Sequence, residues 1–124
     1  MILVDTSVWI EFLKGSLQER ERFCNFAEKR QILVLECIIG ELLQGVKSKT
    51  EKKVILQYWN LLPSIDMDSL WIKAGILSAE EKLTSKGIGL IDDVIIAACH
   101  ETKSMLWTFD KKIISNFSGE ILLY

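Results

Sequence analysis

The feature that most constrains this fold is a set of short runs that are apolar almost without interruption: Ile2–Val4, Ile32–Leu35, Met105–Thr108 and Ile121–Leu123. A strand with one wet face alternates apolar and polar residues, whereas a strand covered on both faces does not. Between these runs the pattern turns helical. Ser7–Leu13 and Leu17–Lys29 precede the second run; Ile38–Val46 and Thr50–Asn60 follow it, parted by Gly45 and a polar KSKT turn. Asp68–Ser85 carries Leu70, Ala74, Leu77 and Leu83 at near-helical spacing and stops at Gly87. Asp93–Glu101 reads as a short apolar helix and Lys111–Asn116 as another. Pro63, the sole proline, lies in LLPSID, a connecting segment or an extra edge strand. Strands alternating with helices predict a parallel sheet with helices on both faces, one α/β domain over residues 1–124.

Composition removes several classes of protein. With 49% hydrophobic and 26% charged residues the chain is no disordered tail, and it is long enough to bury roughly two-thirds of its unfolded surface. No run approaches the ~20 apolar residues of a membrane span. MILVDTS lacks a basic region and already holds Asp5, so it is not expected to be a signal peptide. Cys24, Cys37 and Cys99 are odd in number and form no CxxC, which suits core thiols in a reducing cytoplasm. His100 is the single histidine, excluding chemistry that needs two. Lys and Arg number 15 against 17 acids, a net charge of −2 that argues against gripping nucleic acid by bulk positive charge.

Six aspartates occur, and three of their locations follow from the strand pattern. Asp5 ends ILVD, Asp110 follows MLWTF, and Asp92 with Asp93 opens the helix VIIAAC. Ligands of parallel α/β sheets bind at the carboxyl ends of strands, so Asp5 and Asp110 should share a rim that Asp93 can join. Each acid also has an ordinary structural use. Asp5 can cap the next helix, although Thr6 and Ser7 are available for that. Asp92 and Asp93 both suit the positive end of a helix, but point ~100° apart; Asp92 fits the cap and Asp93 the site. Asp110 reads equally as a turn residue. Glu41, in IIGELLQGV, sits at the edge of an apolar face, either reaching water or joining the other acids. Carboxylates gathered together repel unless a cation intervenes, and with no His/Cys set the matching cation is Mg²⁺ or Mn²⁺.

Four segments then resemble one family, the PIN-domain ribonucleases, and most closely the VapC-type toxins of bacterial and archaeal toxin–antitoxin pairs. ILVDTSVWIEFLKG is similar to the family's opening strand, first acid and helix; IIGELLQG to its glutamate helix; GIGLIDDVIIAAC to its D-x-x-I-A-A segment; and LWTFDKKI to its T-x-D/N strand exit. The resemblance implies a three-layer α/β/α sandwich around a central parallel sheet, and Mg²⁺- or Mn²⁺-dependent hydrolysis of RNA. It implies that Asp5, Glu41 and Asp93 bind the metal, Asp93 because it stands three before Ile96 with Ala97 and Ala98 next. Asp110 is the implied fourth acid, acting directly or through water, with Thr6 and Thr108 in support. The chain departs from many relatives at Lys112–Ile113, where they carry a second acid before an aromatic. A homodimer and a cognate antitoxin lying across the active-site groove are implied as partners.

Trp9, Phe12, Trp59, Trp71 and Phe117 are either core or an exposed aromatic patch, and Lys47, Lys49, Lys52 and Lys53 either touch RNA phosphates or form a solvated face. Two rivals have different chemistry. A receiver-like phosphoacceptor wants paired acids after its first strand, and a hydrolase with a nucleophilic aspartate wants a second two residues on; here Asp5 is followed by Thr6 and Ser7. A non-catalytic binding module of the same fold is the third reading. Setting aside four of the 17 acids as metal-facing turns the charge of the remaining surface from −2 to +2.

Overall fold

The computed structural model describes residues 1–117 and 121–123. Its centre is a parallel sheet of β1 (Ile2–Val4), β2 (Ile32–Leu33) and β3 (Met105–Trp107), in the order β2-β1-β3. Ile2 pairs with Ile32 on one side and Met105 on the other, and Leu3 with Leu33 and Leu106. Every residue of β1 is buried, as its unbroken apolar run requires. Among the described residues seven helices flank the sheet: α1 (Thr6–Lys14), α2 (Arg20–Glu28), α3 (Glu36–Gln44), α4 (Lys49–Leu61), α5 (Leu70–Glu81), α6 (Leu90–Thr102) and α7 (Lys111–Asn116).

The outer runs contribute less than a strand each. The Ile121–Leu123 run narrows to one parallel bridge, Leu106 to Leu122, with the Leu123 amide donating to the Leu106 carbonyl at 2.8 Å. On the opposite edge the Val34 amide donates to the Pro63 carbonyl at 2.9 Å beside a Val34–Ser64 bridge, so LLPSID does border the sheet. Proline has no amide to extend that ladder.

Of the boundaries that differ from the expected ones, three bear on the site. The long helix over Asp68–Ser85 is instead α5 followed by a 3-10 turn, Thr84–Lys86, because Lys82 takes a left-handed conformation at φ 55°. β3 stops at Trp107, which leaves Thr108 outside the ladder. Helix α6 starts at Leu90 rather than Asp93, with Gly89 as its N-cap, so Asp92 is not the cap but the third helical residue.

Helix α6 is the most enclosed of the helices: Asp93 through Cys99 are all buried. Nearly continuous apolar character suits a helix covered on all sides. Beneath α1, Trp9, Phe12, Phe23 and Tyr58 interlock, with Phe12 stacked on Phe23 at 3.8 Å and Trp9 edge-on to Phe23 at 5.0 Å. Trp9 and Phe12 are therefore core residues, Trp59 and Phe117 are half-buried, and only Trp71 of the five aromatics is exposed, at 44%. Lys49, Lys52 and Lys53 are exposed along one side of α4. The three cysteines are free, and only Cys99 is fully buried.

Candidate active site

Asp5 is a buried acid whose two carboxylate oxygens are both hydrogen-bonded. It leaves β1 at the carboxyl edge of the sheet, its amide donating to the Trp107 carbonyl at 2.9 Å, and becomes the N-cap of α1. Only 5% of it is exposed. Oδ1 accepts from the Thr6 amide at 2.8 Å; Oδ2 accepts from the Ser7 hydroxyl at 3.0 Å and the Thr108 hydroxyl at 2.6 Å. Cap and site thus coincide: the capping bond occupies one oxygen while two hydroxyls orient the other.

The hydroxyls extend the network. Ser7 Oγ accepts from the Phe109 amide at 3.0 Å, and Thr108 Oγ1 accepts from the Asp110 amide at 3.0 Å, so the strand exit of β3 is tied to β1 through Asp5. Thr6 Oγ1 donates to Glu41 Oε1 at 3.0 Å, bringing the α3 glutamate to the same rim. Asp110 caps α7, its Oδ1 accepting from the amides of Lys112 at 2.8 Å and Ile113 at 3.3 Å. Thr6 and Thr108 both hold acids, and Ser7 joins them. Sequence reasoning treated Ser7 as a spare cap; its place two residues after Asp5 was the available signal.

The two aspartates of α6 divide. Asp92 is pushed up to about 6, first by burial and then by the charges of Asp5, Asp110, Glu41 and Asp93, so its carboxyl lies within electrostatic reach of all four. Cys99, two turns along α6, is pushed up to about 12 by burial and then by Asp5, which puts that helix face toward the end of β1. Asp93, the acid matching the family segment, is 2% exposed and raised by burial, while a hydrogen bond from Ser78 of α5 pulls the other way. Its Oδ1 is buried and has no hydrogen-bond partner. Asp92 is the acid that sequence reading assigned elsewhere; Gly89, able to serve as the N-cap, was the signal that freed it.

Asp5, Glu41 and Asp110 thus lie within electrostatic reach of Asp92 on one rim, whereas Asp93, the acid expected there, is turned toward Ser78 of α5. The ion pairs Arg22–Glu19 and Lys73–Glu101 lie elsewhere. Among the described residues no three His, Cys, Asp or Glu side chains stand as a ready-made metal cage. The donor set nonetheless fits a hard divalent cation. All donors are carboxylate oxygens, Asp93 Oδ1 is an orphaned buried acceptor, and Mg²⁺ needs only one or two protein carboxylates because it keeps several waters.

Sheet order, helical layers and an acidic rim at the strand ends together define the class, and the chain belongs to the PIN domain family, which matches residues 2–118. Membership leaves the phosphoacceptor alternative without support. Among solved structures the chain is similar to a chain of the crystal structure of VapBC2 from Rickettsia felis bound to a DNA fragment from their promoter, with a TM-score of 0.75. The two are 22% identical, and the match covers 99% of this chain and 98% of that one. No curated protein matches the chain.

Proposed function

We propose that this protein is an Mg²⁺- or Mn²⁺-dependent endoribonuclease, the toxin half of a type II toxin–antitoxin pair acting in the cytoplasm. The observation that carries the reading is the network in which two hydroxyls orient Asp5 and a third delivers Glu41 to the same rim, beside a buried aspartate with an unpaired oxygen. Asp5, Glu41 and Asp93 would hold the ion, with Asp92 in the same charge cluster and Asp110 reached directly or through water. A divalent ion bound there supplies activation of water and neutralisation of phosphate charge.

The chain's own residues prepare that chemistry. Thr108 and Ser7 fix Asp5 Oδ2, and Thr6 fixes Glu41 Oε1, so neither carboxylate has to be ordered when substrate arrives. Burial and four neighbouring acids make Asp92 a carboxyl that holds a proton up to near-neutral pH when no cation is present. No helix among the described residues is long and apolar enough to cross a membrane. The antitoxin partner and a homodimer are supported by the exposed apolar side of α5, where Ile72 is 71% and Ile76 54% accessible next to Trp71.

The test is cleavage of single-stranded RNA by the purified protein. Mg²⁺ or Mn²⁺ should support cutting, EDTA should stop it, and Asp5→Asn should lower it by at least about 100-fold, the lower end for a group acting directly in the chemistry. An Asp5→Asn protein that cuts as well as the parent overturns the assignment.

A further inference from the structure

Helix α1 ends at Gly15, which takes φ 78°, and the chain enters α2 at Arg20. At that turn opens a pocket of about 350 Å³, lined by Phe12, Lys14 and Gly15, by Arg20, and by Val54 and Tyr58 of α4. The volume lies within the ~300–1,000 Å³ range of small-ligand sites. Lys14 closes the helix that Thr6 opens, a separation of about 12 Å at 1.5 Å per residue, so the pocket stands apart from the acidic rim.

Arg20 is held there without being neutralised. Its Nη1 donates to the Phe12 carbonyl at 3.2 Å, and its guanidinium carbon lies 4.7 Å from the centre of the Phe12 ring. That bond uses one of five N–H donors. Two nearby acids are engaged elsewhere: Glu19 pairs with Arg22 at 3.2 Å, and Glu11 accepts from the Ser16 hydroxyl. Among the described residues neither Arg20 nor Lys14 forms an ion pair, and no acid lines the pocket. The Tyr58 phenol is pushed up by burial and then by Cys24, while Arg20 pulls it down, so its hydroxyl is within electrostatic reach of the guanidinium.

We propose that this pocket binds a phosphate group of the RNA strand through the Arg20 guanidinium, at a point remote from the acids. The oxyanion follows from the pocket, and the strand rests on the ribonuclease reading above. A planar guanidinium matches the oxygens of a phosphate two at a time, and one already anchored loses little freedom on binding. A carboxylate has the same fork, and α4 decides between them. Lys53 and Gln57, which immediately precede Val54 and Tyr58, line a further groove with Lys49, Lys52 and Asn60. The three lysines are exposed, and none forms an ion pair among the described residues. Side chains three and four apart on a helix are neighbours, so these cations form a row. A row of unpaired cations beside a guanidinium pocket suits a chain of phosphates, each releasing counterions as it binds, rather than one carboxylate.

The experiment has two probes, both used on the full chain in metal-free buffer. Inorganic phosphate, against chloride at equal ionic strength, should shift the amides of Lys14, Gly15 and Tyr58 saturably in NMR spectra, and Arg20→Gln should abolish the shifts. Fluorescein-labelled single-stranded oligouridylate, followed by anisotropy, should bind Arg20→Gln at least about tenfold more weakly than the parent, the scale of a hydrogen bond to a charged group. The slope of log affinity against log salt should also fall by about one. Lys29→Gln removes an exposed cation outside the pocket and should change binding by less than about twofold. If Arg20→Gln does not unfold cooperatively, Arg20→Lys keeps the charge without the fork and should still bind both probes more weakly than the parent. Absence of phosphate shifts, or an equal loss in Lys29→Gln and Arg20→Gln, overturns the proposal. Phosphate shifts with unchanged oligouridylate binding by Arg20→Gln assign the pocket to free phosphate, and tighter, Arg20-dependent binding of polyglutamate assigns it to an acidic protein; either result overturns it as well. Cleavage is measured separately. A protein that binds oligouridylate through Arg20 but fails to cut RNA with Mg²⁺ or Mn²⁺ rejects the ribonuclease reading and leaves the phosphate site standing.

Discussion

Thr108 shows how much a single hydroxyl can decide. It donates to Asp5 Oδ2 at 2.6 Å and accepts from the Asp110 amide, linking two acids that arrive from different strands. Thr108→Val keeps the shape and removes the hydroxyl, leaving Ser7 alone to orient that oxygen. Cleavage or ion affinity should fall by about 10–100-fold, the cost of losing a group behind a metal ligand, with an unchanged circular dichroism spectrum; unaltered cleavage would contradict the role. Asp92 makes a prediction about pH. Its carboxyl stands near 6 in the folded chain against an ordinary 3.8, so the neutral form is the one the fold favours. A raised acid contributes stability that is complete at low pH and is lost as pH climbs through the folded value. Ion-free protein should therefore lose stability in urea melts between pH 4 and pH 7, and Asp92→Asn should remove that share of the loss and unfold at higher urea near pH 7. Saturating Mg²⁺ should narrow the gap between them. Asp5, Glu41 and Asp110 were legible because each directly follows or borders an apolar run. Asp92 was not, since its direction depends on where α6 begins, and the glycine cap moved that start by three residues.

At the scale of elements, caps and strand exits do two jobs. Asp110 caps α7 through two amides and also contributes charge to the acidic rim. Two substitutions separate the jobs. Asn is as good a cap as Asp, so Asp110→Asn should leave the denaturation midpoint nearly unchanged while lowering cleavage; Asp110→Ala should lose the cap as well and cost about 1 kcal/mol. Equal stability of the two would place the capping bond outside the balance. Helix identities were readable from the 3.6-residue spacing of apolar side chains, and the parallel sheet from runs too apolar to have a wet face. The interruption between α5 and the 3-10 turn was not readable, because Lys82 adopts positive φ without the glycine or asparagine that usually announces it. The outermost runs were readable as sheet neighbours but not as mere bridges.

For the whole molecule, the apolar side of α5 is the surface that most needs explanation. Ile72 and Ile76 lie one turn apart and are largely exposed in the single chain. Replacing both with Glu should shift the purified protein to a slower-sedimenting monomer and leave its helical content intact; a parent that already sediments as a monomer at micromolar concentration would remove this face from the homodimer reading. Net charge also reads differently at this scale. The excess of acids is concentrated at one rim, which suits cation recruitment rather than a general aversion to nucleic acid. The sheet order carries a consequence for how the protein is made. β1 lies in the middle, yet one of its two neighbours, β3, comes from residues 105–107. As the chain leaves the ribosome, Asp5 lacks Thr108 until the stretch that separates them has been synthesised. A nascent chain therefore carries Asp5 without the hydroxyl that aims it for as long as the 103 positions between them take to be made.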